Sequence, residues 1–252
     1  MTRDRRSTGR ERAARDGPPC WRRVALACAL AAGVAACDVV TGAAQRAGVV
    51  PTFEAHCAKT LPPTRIEVVA LPADHDTDFT RSYAELTRMG VEAEANERVI
   101  GLTRARIGHA ATITVVGIEE PVTGRVCVRP EIRVELSLTP MTVFVGREFR
   151  DDACRRSAII EHELKHVAVY RDTLEAMTRE ARDEIARAYG NTVMLFASRD
   201  EAQREIEAAL SGYLGPLLER STREVRRRQA DVDTPDEYAR IAGACGGIEL
   251  RE

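Results

Sequence analysis

The sequence predicts an α+β fold, a β-rich N-terminal half followed by a long helical hairpin. Three observations predict it. Between residues 65 and 145 the apolar, β-branched runs are short, at 66–70, 99–103, 112–116, 125–128, 132–138 and 141–145. The run at 132–138, Ile-Arg-Val-Glu-Leu-Ser-Leu, alternates apolar with polar, which is the period of a half-buried strand. From residue 152 to 189 there is neither proline nor glycine, as one uninterrupted helix requires.

In chain order, Arg22-Arg23 precede an apolar run at 24–36 that is too short to span a bilayer as a stable helix. A basic start, a short apolar core and small residues at its end make a secretory signal peptide. That end, Val34-Ala35-Ala36-Cys37, resembles the lipobox of bacterial lipoproteins. The resemblance implies that Cys37 carries lipid and is the first mature residue. The expected organisation is a signal peptide with lipobox over 1–37, a tether over 38–60 and one domain over 61–252. Within that domain, 61–150 is the β-rich part and 151–252 the helical part. The implied location is the bacterial cell envelope, on the periplasmic side of a Gram-negative cell, with the membrane held through the N-terminal lipid.

Inside the domain, 121–124 and Thr139-Pro140 supply turns between strands, and 78–88 suits a short helix. Gly190-Asn191 stops the first long helix. A second runs from 199 to 229 and is expected to bend at Gly215-Pro216. Thr234-Pro235-Asp236-Glu237 matches a capping box with proline at the first helical position, opening a short third helix that ends near Gly243.

Of the 37 basic and 39 acidic residues, eight and three respectively fall within 1–36, leaving the remainder with a formal net charge of −7. Nucleic acid is therefore an unsuitable partner, since phosphate binding needs clustered positive charge. Of seven cysteines, Cys20 and Cys28 leave with the signal and Cys37 takes lipid. Cys57, Cys127, Cys154 and Cys245 remain, and in an exported chain they suggest two disulfides.

The stretch with most chemical content is His162-Glu163-Leu164-Lys165-His166, the pattern H-E-x-x-H inside the first long helix. Residues four apart share a helix face, about 6 Å apart along the axis. Two imidazoles so placed can hold one zinc ion, with the glutamate beside them as a base for water. On a helical wheel Ile159, Ile160, Leu164, Val167, Tyr170 and Leu174 form one apolar arc. Glu163 falls inside that arc, where a carboxylate is costly unless something compensates it. His162 and His166 lie together at its edge. Glu161 and Lys165, four apart in the favourable order, suit a solvated charge pair.

The motif resembles that of the zincin metallopeptidases. The resemblance covers the helix and a preceding β-rich segment, and implies zinc ligation by His162 and His166 with Glu163 as general base. Lys165 departs from the pattern, because zincins usually have uncharged residues at both central positions. The chain also looks like exported bacterial proteins known as predicted zinc peptidases.

A catalytic zinc normally has three protein ligands and a water. The metzincin extension would put the third at Asp172, but Val169 stands where a helix-breaking glycine is needed. Glu184 would lie about 27 Å from His166 on an unbroken helix. If 152–189 and 199–229 form an antiparallel hairpin, mirror pairing sets Leu164 opposite position 224. Glu224 is then the expected third ligand, with Glu219 next. The same hairpin brings Cys245 to Cys154 and leaves Cys57 with Cys127. His56, His75 and His109 are each more readily structural than metal-binding.

The expected function is zinc-dependent hydrolysis of a peptide or protein substrate, held by edge pairing to a strand such as 141–145. The alternative is a non-catalytic envelope lipoprotein whose helices bind a partner. The sequence specifies neither substrate nor oligomeric state.

Overall fold

The computed structural model describes residues 52–71, 73–90 and 98–247. The signal peptide, the lipobox and Cys37 lie outside the described residues. An α+β architecture is present, and one strand organises it. This is β4 (Val126–Val145), 20 residues long, whose alternate side chains from Ile132 to Leu138 are buried. Along one edge it pairs antiparallel with β3 (Gly101–Glu119). Along the other it meets three short strands placed end to end. These are β5 (Met194–Phe196) against 126–128, β1 (Arg65–Ala70) against 131–136 and β2 (Asp76–Asp78) against 142–144.

The six expected apolar runs thus merge: two of them lie in β3 and three in β4. Thr139-Pro140, expected as a turn, is instead passed through by β4. Proline has no N–H for the ladder, and the strand accommodates it at a register shift, where Ala105 pairs with Met141 but Ile107 with Leu138. The hairpin turn at 121–124 is where expected, with Gly124 at φ 72°. The helix α1 (Phe53–Thr60) occupies the end of the stretch expected as a tether. Its Cys57 is buried and disulfide-bonded to Cys127, so this part of the chain is fastened to the sheet.

A short helix, α2 (Tyr83–Met89), precedes β3. Two long helices, α3 (Ala153–Tyr189) and α4 (Arg199–Val232), cover one face of the sheet. Val134 and Leu136 of β4 share a core with Met177 and Ile185 of α3 and with Ile206 and Leu214 of α4. The opposite face is solvated, with Arg133 of β4 paired to Glu67 of β1 at 2.5 Å. The α4 helix runs unbroken through Gly215-Pro216. The last helix, α5 (Pro235–Gly243), packs Ile241 into a second cluster with Val143, Phe149, Ile159 and Val167. Cys154 is disulfide-bonded to Cys245, fastening the start of α3 to the segment after α5.

Candidate metal centre

His162, Glu163 and His166 lie within α3, and all three are buried, at 5, 3 and 8 % exposure. Helical spacing brings the two imidazoles together, with their Nε2 atoms 3.1 Å apart. The other ring nitrogens are held from α4 and α5. His162 Nδ1 is 3.2 Å from Glu237 Oε1, and His166 Nδ1 meets Gln229 Oε1. Gln229 also donates from Nε2 to the His166 carbonyl at 3.3 Å. Both rings are thus oriented from behind, which is how ligating histidines are commonly fixed.

Asp233 faces the two free nitrogens. It caps the C-terminus of α4, its N–H donating to the Gln229 carbonyl, and it precedes the Thr234 that caps α5. Its Oδ1 stands 3.3 Å from His162 Nε2 and 3.1 Å from His166 Nε2. Three donor atoms thus form a nearly equilateral triangle. Donors about 2.0 Å from a tetrahedral zinc ion stand about 3.3 Å from one another, so the triangle fits one face of such a coordination shell. Glu163 lies beside it, and His162, Glu163 and His166 have donor atoms within 4.8 Å of one another.

Glu163 is held by the sheet. Thr103 of β3 donates its hydroxyl to Glu163 Oε2 at 2.8 Å and approaches the Glu163 carbonyl at 3.1 Å. Gly101 lets the carboxylate lie against the strand: a Cβ there would come 2.5 Å from Oε1 and 2.7 Å from Ile159 Cγ2. Burial raises the Glu163 pKa despite the opposing influence of the histidines and Thr103. Burial would also lower the pKa of His166, but the Asp233 and Glu163 carboxylates outweigh it and the net shift is upward. For Asp233 the cost of burial is outweighed by the two imidazoles, and its carboxyl stays well below the usual range.

A cleft of about 880 Å³ opens over this centre, lined by β3 residues from Gly101 to Ile107 and by Tyr170, Arg226 and Tyr238. Strand β3 offers it a backbone edge. Gly146 N–H donates to the Ile100 carbonyl at 2.8 Å, so by the alternation of an antiparallel ladder Gly101, Thr103 and Ala105 aim their backbone groups away from β4. Further along, α4 covers the same edge: Gln203 donates to the Ile113 carbonyl, and Arg199 to those of Val115 and Gly117. Among the described residues the edge is left open at Gly101 and Thr103, beside the candidate centre, and capped away from it. Of residues 141–145, expected to offer that edge, all pair with β3 and 142–144 pair with β2 as well, so the segment is central in the sheet.

Glu224, the expected third ligand, is exposed and paired with Arg227 at 2.7 Å. Mirror pairing fails because the chain between the long helices travels out to pair β5 with β4. Asp172 meets Arg228 and Glu180 meets Arg220, so partners lie about twelve residues further along α4 than a simple mirror gives. Those charge pairs are the sequence signal that would have set the register. Glu219 is exposed beside Arg223, and Glu184 pairs with Arg187. His56 and His109 are exposed and His75 is half-buried, none of them at the centre. Lys165 pairs with Glu237 at 2.7 Å rather than with Glu161, so the charged residue inside the motif answers a carboxylate from α5. Glu237 itself was expected to close a capping box. Thr234 does accept from the Glu237 N–H at 3.2 Å, but the Glu237 carboxylate turns instead to His162, Lys165 and Arg240.

No protein-family model, no curated protein and no solved structure matches this chain.

Proposed function

We propose that the chain is a zinc-dependent peptidase of the bacterial cell envelope, with His162, His166 and Asp233 as ligands and Glu163 as general base. One observation carries the reading: two oriented imidazole nitrogens and a carboxylate oxygen converge at coordination spacing beside a buried glutamate. When bound, zinc supplies the Lewis acidity that polarises a carbonyl and brings the pKa of water towards neutrality. Glu163, its carboxylate held by Thr103, accepts the proton of the attacking water and passes it to the leaving amide nitrogen. The open edge at Gly101 and Thr103 suits an extended peptide, whose backbone would pair antiparallel to β3 across the centre. Burial of Glu163 keeps bulk water from competing for that proton.

The test is metal content together with the Glu163→Gln variant. Purified protein should hold about one zinc per chain. The variant should keep that zinc and lose peptide hydrolysis. A protein that takes up no metal, or a variant that retains full activity, refutes the reading.

A further inference from the structure

Of the five arginines of α4 between residues 220 and 228, four are neutralised. Arg220 pairs with Glu180 at 2.6 Å, Arg223 with Glu219 at 4.0 Å, Arg227 with Glu224 at 2.7 Å and Arg228 with Asp172 at 2.8 Å. Arg226 is the exception, and it is the one that lines the cleft. Arg104 and Arg106 of β3 also line the cleft and are exposed, and among the described residues no carboxylate pairs with either of them or with Arg226. Shortage of acid does not explain this, because the chain after residue 36 carries an acidic excess. Arg98, also at the cleft, differs: its guanidinium stacks over the Tyr83 ring at 5.9 Å.

Tyr170 marks the place. Its hydroxyl meets the Ala105 backbone N–H, and burial raises its pKa while Arg104 and Arg226 both pull it down. Two cationic groups, one from the strand and one from α4, thus act on one hydroxyl in the cleft. Guanidinium groups in that setting bind carboxylates through paired N–H donors, more strongly than on an open surface.

We propose that the Tyr170 end of the cleft is a carboxylate-binding subsite, formed by Arg104, Arg106 and Arg226, that selects peptides with an acidic group close to the scissile bond. The scissile bond in this statement rests on the peptidase reading; the carboxylate site does not. Tyr170 lies one helical turn beyond His166, about 6 Å along α3. An extended peptide advances about 3.3 Å per residue, so the subsite reads a group one or two residues from the bond that is cut.

The probes are fluorescein-labelled nonapeptides of Gly, Ala and Ser with a single Glu walked through the sequence. Each is paired with a Gln twin, and each is made with free and with amidated C-terminus. Binding is measured by anisotropy to zinc-loaded Glu163→Gln protein, and cleavage is measured with the wild type. A Glu peptide should bind about tenfold tighter than its Gln twin. Arg226→Ala and Arg104→Ala should bring that ratio close to one, and Arg226→Lys should restore only part of it. A preference that follows the free C-terminus assigns the subsite to a terminal carboxylate, and one that follows Glu assigns it to a side chain; either upholds it. Equal binding of the twins, no peptide binding at all, or a preference unmoved by both alanine variants overturns it. Cleavage of twins at equal rates leaves the peptidase reading standing without the subsite. Arginine-dependent binding of acidic peptides with no cleavage leaves the subsite and removes the peptidase reading.

Discussion

Thr103 donates its hydroxyl to the buried carboxylate of Glu163 at 2.8 Å, so a strand sixty residues upstream holds the glutamate of the HExxH helix. This bond supplies polar contact to a group that burial would otherwise penalise. Thr103→Val keeps the shape and removes the donor. It should lower kcat about tenfold, leave zinc content unchanged and destabilise the fold by about 1–2 kcal/mol. Steady-state kinetics, metal analysis and denaturant melts on one preparation check all three.

Asp233 and Glu224 make opposite predictions. Removing a residue that only supports a ligand typically costs about 10–100-fold in metal affinity, so removing a ligand should cost more. Asp233→Ala should therefore weaken zinc binding by more than about 100-fold in competition with a chromogenic chelator. Glu237→Gln and Gln229→Ala should fall within the supporting range. Glu224→Ala, on a solvated face, should leave affinity unchanged.

That contrast shows where the sequence was informative. The fold class, both long helices and the inward turn of Glu163 follow from local periodicity, because each depends on residues within a few turns of one another, whereas the cysteine pairing rests on the antiparallel hairpin of the two long helices. The third donor does not. Asp233 carries no motif of its own, and it reaches the centre only through the offset between α3 and α4, which the excursion into β5 creates. Glu237 was misread for a related reason: its spacing from Thr234 suits a cap, yet His162 and Lys165 compete for its carboxylate once α5 is docked. The free edge of β3 was missed because the apolar runs do not say which strand is central.

Gly101 should tolerate no side chain. A Cβ there meets Glu163 Oε1 at 2.5 Å and Ile159 Cγ2 at 2.7 Å, and both groups are buried in the packed α3 helix. Gly101→Ala should cost about 1–3 kcal/mol of stability and displace the base. Thermal melts should show a lower Tm, and kcat should fall while zinc content holds.

The metal-free protein should respond to pH in a definite direction. The His166 pKa is raised: burial would lower it, but the carboxylates of Asp233 and Glu163 prevail. A raised histidine pKa contributes stability that is fully present below its unfolded value, about 6.5, and lost as pH rises through the folded value. The Tm of chelator-treated protein should therefore fall as pH rises above about 6.5. Zinc-loaded protein, whose imidazoles are already deprotonated, should lack that loss, and adding zinc to metal-free protein near neutrality should release protons. A metal-free Tm that climbs over the same interval would contradict the His166–Asp233 pairing.

The Cys154–Cys245 disulfide should matter to the metal as well as to the fold. It joins the first turn of α3, two turns before His162, to the residues that follow α5. Between Asp233 and Cys245 lie the third donor, the Glu237 that orients His162, and the buried Ile241. Arg155 reinforces the join by donating to the Gly247 carbonyl at 2.6 and 2.9 Å. Opening the bridge removes the covalent hold on the segment after α5 and leaves only non-covalent contacts there, so the donor set becomes less preorganised. Cys154→Ser/Cys245→Ser should cost about 2–4 kcal/mol of stability. It should also weaken zinc binding about 10–100-fold, as loss of ligand-supporting contacts does. Cys57→Ser/Cys127→Ser, whose bridge fastens α1 to the far end of β4, should lose comparable stability but leave zinc affinity intact. Equal zinc affinity in both double variants would show that α5 holds its place without the bridge.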